Sequence, residues 1–111
     1  MIEIINNFRS YHGKRPVWGW NNVISDYCFQ HCLEMAKRGD IYHAEPCYLN
    51  GWAEAVGVMS YNGDWHEAKR RMIFDNFGMS GHHRDILLNR DNMAFGIVVN
   101  NYKMYVCVRA Q

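Results

Sequence analysis

The sequence predicts an α+β fold with helices packed around an antiparallel sheet. Two observations predict it. Apolar residues recur at helical spacing through most of the chain, and the last stretch, Ala94 to Arg109, reads as two strands joined by an asparagine turn. The 111 residues are read as one domain, 1–111, long enough for a single core.

The elements follow in order. Ile4, Ile5, Phe8 and Tyr11 share one face of a first helix, which Gly13 and Pro16 end. A second helix begins near Trp20 with Asn21 or Asn22 as its cap, and places Ile24, Cys28, Cys32, Met35 and Ala36 on one side. Lys37 and Arg38 suit its C-terminus, and Gly39 suits the left-handed stop after it. Residues Asp40 to Gly51 read as irregular, and Glu54 to Met59 as a short buried strand.

A third helix starts at Asp64, where Asp64 and Glu67 have capping-box spacing. Its buried side takes Trp65, Ala68, Met72 and Ile73, with Phe74 and Phe77 toward its end. Ser80 caps a short fourth helix holding Ile86, Leu87 and Leu88. Ala94 to Val99 is apolar on both parities, as in a strand covered on both faces. Asn100 and Asn101 make the turn. In the returning strand Met104, Val106 and Val108 face one way, and Tyr105 and Cys107 the other.

Bulk properties exclude several functions. A net charge of +1 gives no basic field for nucleic acid, and Lys69-Arg70-Arg71 reads as a solvated helix face. No apolar run is long enough to cross a bilayer. The N-terminal residues lack the parts of a signal peptide, so either the protein stays inside or a leader has been removed. Of the four cysteines, Cys28 and Cys32 lie four apart on a helix and read as small buried hydrophobes rather than as a disulfide or a zinc pair. The sequence leaves open a bridge between Cys47 and Cys107.

The residues that point to chemistry are His43, Glu54, Glu67 and His83. Two imidazoles and two carboxylates on segments able to fold together make a metal or polar-ligand cleft. Glu54 is the sharpest signal, because a carboxylate inside an apolar strand is costly unless paired or ligating. Glu67 has two equal readings, a cleft carboxylate or the capping-box partner of Asp64. His82 and His66 read as solvent-facing. Trp18, Trp20 and Trp65 read as core and loop packing.

These residues fall in a familiar order. Asn6 to Arg9 followed by Gly13 and Pro16, the run Pro16-Val17-Trp18-Gly19-Trp20-Asn21, and the helix ending Met35-Ala36-Lys37-Arg38-Gly39 before His43 are three parts of it. Ala53-Glu54-Ala55-Val56-Gly57, Ser80-Gly81-His82-His83-Arg84-Asp85-Ile86-Leu87-Leu88-Asn89 and Phe95-Gly96-Ile97-Val98 complete it. The ordered set resembles the CAP superfamily of cysteine-rich secretory proteins, antigen 5 and pathogenesis-related 1 proteins, in its small bacterial form. The resemblance implies a three-layer α-β-α sandwich with a central antiparallel sheet and about four helices. It also implies that His43, Glu54 and His83 line a central cleft where two histidines hold zinc or another divalent cation. Glu67 falls near the family's second acidic residue. Ala55 departs from the family's usual asparagine, and Gly81-His82 replaces its Pro-Gly.

The function expected is a non-enzymatic binding module for a small ligand, lipid, peptide or protein partner, placed outside the cell or in its envelope by the resemblance. The alternative is a metal-dependent hydrolase using a cleft-bound water. No serine or cysteine nucleophile stands in a recognisable setting, there is no His-Glu-x-x-His helix, and two histidines are fewer than the three protein ligands usual for catalytic zinc. No catalytic residue is therefore assigned.

Overall fold

The computed structural model describes residues 1–17, 22–45, 51–79 and 81–111. The elements run α1 (Ile2–Tyr11), α2 (Asn22–Arg38), β1 (Ala53–Ser60), α3 (Trp65–Arg71), α4 (Gly81–Leu88), β2 (Met93–Asn100) and β3 (Lys103–Ala110). After α3 the chain continues through a π-helical segment, Met72–Asn76, and a 3-10 turn, Phe77–Met79.

The three strands pair antiparallel in the order β1-β3-β2, so the last strand is the central one. Strand parity then sorts the core into two layers. Ala53, Ala55, Met104, Val106, Val108 and Ala110 pack with Ile4, Ile5 and Phe8 of α1, Ala68 of α3, Met72, Ile73 and Phe77 beyond it, and Ile86 to Leu88 of α4. Val56, Ala94, Tyr105 and Cys107 face the other way, against Ile24, Cys28, Cys32, Met35 and Ala36 of α2. Helices thus cover both faces of an antiparallel sheet, the α-β-α sandwich.

The local chemistry agrees with this layout. Gly39 takes φ +71° and its N–H donates to the Met35 carbonyl, closing α2. Asp64 caps α3 by accepting from the Glu67 N–H at 3.0 Å. The reciprocal half of the capping box is not made, since the Asp64 N–H donates to Asn62 Oδ1 instead. Cys28, Cys32 and Cys107 are fully buried free thiols, all on the α2 side. Cys47, Trp18, Trp20, Asn21 and Ser80 lie outside the described residues.

Four expectations change. Tyr11 is 80% exposed, as the last residue of α1 lies beyond the edge of the packed layer. Trp65 is 41% exposed: at the first turn of α3 it rests edge-on against Tyr61 and beneath Lys69 rather than in the core. The hairpin turn falls one residue later than expected, on Asn101 and Tyr102 with φ +52° and +60°, because Asn100 pairs with Lys103. Finally, β2 is covered on both faces only in its first half. Val99 is 40% exposed, whereas β3 is buried from Met104 to Ala110, because β3 is central and β2 is not.

Candidate functional site

The site forms where β1 begins. Glu54 and Arg109 are directly opposite across the β1–β3 ladder and share the face turned toward α2. Glu54 is 1% exposed and Arg109 3%. Arg109 donates from Nε at 3.1 Å and from Nη2 at 2.9 Å to Glu54 Oε2, so the pair is doubly bonded. Burial is the largest single influence and disfavours the Arg109 charge, but the Glu54 hydrogen bonds together with the attraction of Glu54 and the neighbouring thiols outweigh it, and its pKa is raised. The Cys107 thiol stands 3.7 Å from the same oxygen.

The other carboxylate oxygen faces the segment after α2. Glu54 Oε1 accepts from His43 Nδ1 at 2.8 Å and from the Ala44 N–H at 3.0 Å. With Nδ1 held, the Nε2 edge of His43 is the one turned away from the carboxylate. The His43 side chain is about half exposed, at 49%. A carboxylate that fixes one ring nitrogen and leaves the other for a ligand is the usual support of a metal-binding histidine.

His83 comes from the first turn of α4 and packs edge-on against Phe77, with ring centroids 5.1 Å apart. It is half-buried, and its Nδ1 is buried without a hydrogen-bond partner among the described residues. Burial lowers its pKa below the usual histidine value, and charges on His82 and His43 would lower it further. His83 is thus biased toward the neutral form, the one in which imidazole can ligate.

Glu67 is placed differently. Its carboxylate takes two hydrogen bonds from Arg70, at 3.2 and 3.3 Å, and lies 4.0 Å from Arg71. The Arg70 bonds hold it below the usual carboxylate range. Its partners are all on α3. His82 and His66 are exposed. Among the described residues, no three His, Cys, Asp or Glu side chains converge in a way that could hold a metal ion.

Two buried polar residues near the site went unread in the sequence. Arg109 is one. His31, 4% exposed on α2, is the other, and its Nε2 donates to the Tyr42 carbonyl at 2.6 Å, pinning the segment that carries His43. Arg109 could have been found from strand parity, which puts it on the face of Tyr105 and Cys107. For His31 the signal was its place beside Cys32 on the packed side of the helix.

Residues 2–108 match the cysteine-rich secretory protein family, CAP, and the chain belongs to that family. No curated protein matches it. Among solved structures it is similar to an outer surface protein from Borrelia burgdorferi, with a TM-score of 0.68, 10% identity, and coverage of 99% of this chain and 88% of that one. An extracellular protein containing an SCP domain from Bacillus anthracis gives a TM-score of 0.63 at 19% identity, covering 99% of this chain and 38% of the other. A cysteine-rich secretory protein from Staphylococcus aureus gives 0.55 at 17%, covering 99% and 36%. The chain thus spans little more than a third of the Bacillus and Staphylococcus proteins. At these identities the likenesses show the shared fold.

Proposed function

We propose that this chain is a non-catalytic binding module whose His43–Glu54–His83 cleft takes a divalent cation, zinc foremost, beside a small ligand, peptide or protein partner. The observation that carries the reading is the division of labour at Glu54. Among the described residues its polar partners are donors: Arg109 and the Cys107 thiol on one oxygen, His43 and the Ala44 amide on the other. A carboxylate so occupied orients an imidazole and is a poor general base for a water. The buried Nδ1 of His83, without a hydrogen-bond partner among the described residues, supports a cation or polar ligand there.

The donor set fits a weak two-histidine site completed by water or by the ligand. In that site His43 through Nε2 and His83 would hold the ion, and the ion would supply an electrophilic anchor for an oxygen or nitrogen of the ligand. Glu67, bound up with Arg70, is left out of it. A hydrolase would need a third protein ligand and a free base, and Glu54 is the only buried carboxylate among the described residues, so binding is preferred. Work outside the cytoplasm is part of the proposal, supported by neighbours described as outer-surface and extracellular proteins.

Zinc titration by calorimetry on chelator-stripped protein tests this. Saturable binding that falls at least about tenfold in both His43→Ala and His83→Ala is the expected result. Heat from wild type that neither substitution changes would sink the proposal.

A further inference from the structure

We propose that the groove between α2 and the segment after it binds an organic cation, the ammonium or guanidinium group of a small molecule or of a basic peptide side chain. This rests on the reading of the chain as a binding module and opens onto the same cleft, since His43 also lines the groove, but it turns on Glu34, Arg38 and Tyr42, which the metal proposal does not use. The groove has a volume of about 800 Å³ and is lined by Tyr27, Glu34 and Arg38 of α2, Tyr42 and Glu45 beyond it, and Arg109 at its end.

Charge decides the sign of the ligand. Arg109 donates two hydrogen bonds to Glu54, which neutralises it, and is almost fully buried. Glu34, with 68% of its side chain exposed, and Glu45, exposed, remain. Against these two carboxylates stands one exposed cation, Arg38, leaving the groove acidic. His31 Nδ1 lies 3.9 Å from Glu34 Oε2, too long for a hydrogen bond.

The aromatic part supplies the recognition. The Arg38 guanidinium lies over the Tyr42 ring, 5.0 Å from its centroid. The chain's own cation thus occupies the place a ligand's cation would take. The ring is held for that purpose by the His31 bond to the Tyr42 carbonyl and by edge-on packing of the two rings at 5.1 Å. The Tyr42 hydroxyl is buried and has no hydrogen-bond partner among the described residues. Tyr27, 52% exposed, offers a second ring.

The test is amide-shift NMR titration of the full chain in chelator, with tetramethylammonium and with a blocked Arg-Arg dipeptide. Saturable shifts confined to residues around Glu34 and Tyr42 are expected. Saturation by both probes identifies a small-cation site, and by the dipeptide alone a peptide site. Glu34→Gln should weaken binding about threefold, and Tyr42→Leu about fivefold. Arg38→Ala should tighten it about threefold, since the internal competitor for the ring is gone. A purely structural Arg38–Tyr42 contact predicts no tightening. No localised shift in wild type, no gain in Arg38→Ala, or preference for a blocked Glu-Glu dipeptide would overturn the proposal. Chelator keeps this outcome separate from the zinc result, so either proposal can fail alone.

Discussion

A buried ion pair strands one charge when the other is removed. Glu54→Gln would leave the Arg109 guanidinium, 3% exposed, against a neutral amide, and Arg109→Met would leave the carboxylate. Each should cost about 3 kcal/mol in urea unfolding, and the double variant less than the sum of the two. His83 sets a pH dependence. Its folded pKa lies below the unfolded value of about 6.5, so the unfolded chain takes up the proton first as pH falls. Stability should therefore decline as pH drops through the window below about 6.5, measured in chelator, and His83→Asn should flatten that slope. An unchanged slope in the variant would show that other groups carry it. At this scale Glu54 was legible because it breaks an apolar run. Parity puts Arg109 on the face of Tyr105 and Cys107, but its pairing with Glu54 was not legible, because the β1–β3 register joins residues far apart in the chain.

Two glycines set how closely the elements approach. A methyl group on Gly96 would lie 2.3 Å from the Phe29 nitrogen and 2.5 Å from the Cys28 carbonyl carbon, both backbone of α2. On Gly57 it would meet the tips of Phe77 and Met72, at 2.7 and 2.9 Å. Side-chain tips can move; a helix backbone resting on a strand cannot move without lifting the layer. Gly96→Ala should thus destabilise by about 3 kcal/mol and by more than Gly57→Ala, as read by urea midpoints. Equal losses would mean that α2 yields as readily as a side chain does. The helices were legible because their apolar spacing and stop signals agree. The half-covered state of β2 was not, because a both-parity apolar strand reads the same at an edge as at a centre. The exposure of Trp65 escaped for a related reason: residue type says that a ring wants burial, whereas its place in the first turn of α3 decides what lies beside it.

Across the whole molecule, the decisive fact is that the last strand is the middle one. Both core layers share β3: its Met104, Val106 and Val108 belong to the layer of α1, α3 and α4, and its Tyr105 and Cys107 to the layer of α2. The alternating parity of this strand was readable in the sequence and contained both core layers. Strand order was not, since it depends on which of β1 and β2 finds each edge of β3. The candidate site inherits this arrangement. Glu54 and Arg109 stand where the α2 face of the sheet meets the loop carrying His43, and His83 stands on α4 against Phe77.

The three thiols beneath α2 make that layer report on itself. Cys28, Cys32 and Cys107 have no solvent exposure, and burial pushes the Cys32 thiol up to about 12. A thiolate-seeking reagent has no route to them while α2 is seated. Their rate of alkylation, assigned cysteine by cysteine by peptide mass, is then a clock for the lifting of this one helix. If α2 detaches alone, all three should label together and faster than the protein unfolds in urea. Labelling no faster than global unfolding would mean that the two layers on either side of β3 open as one.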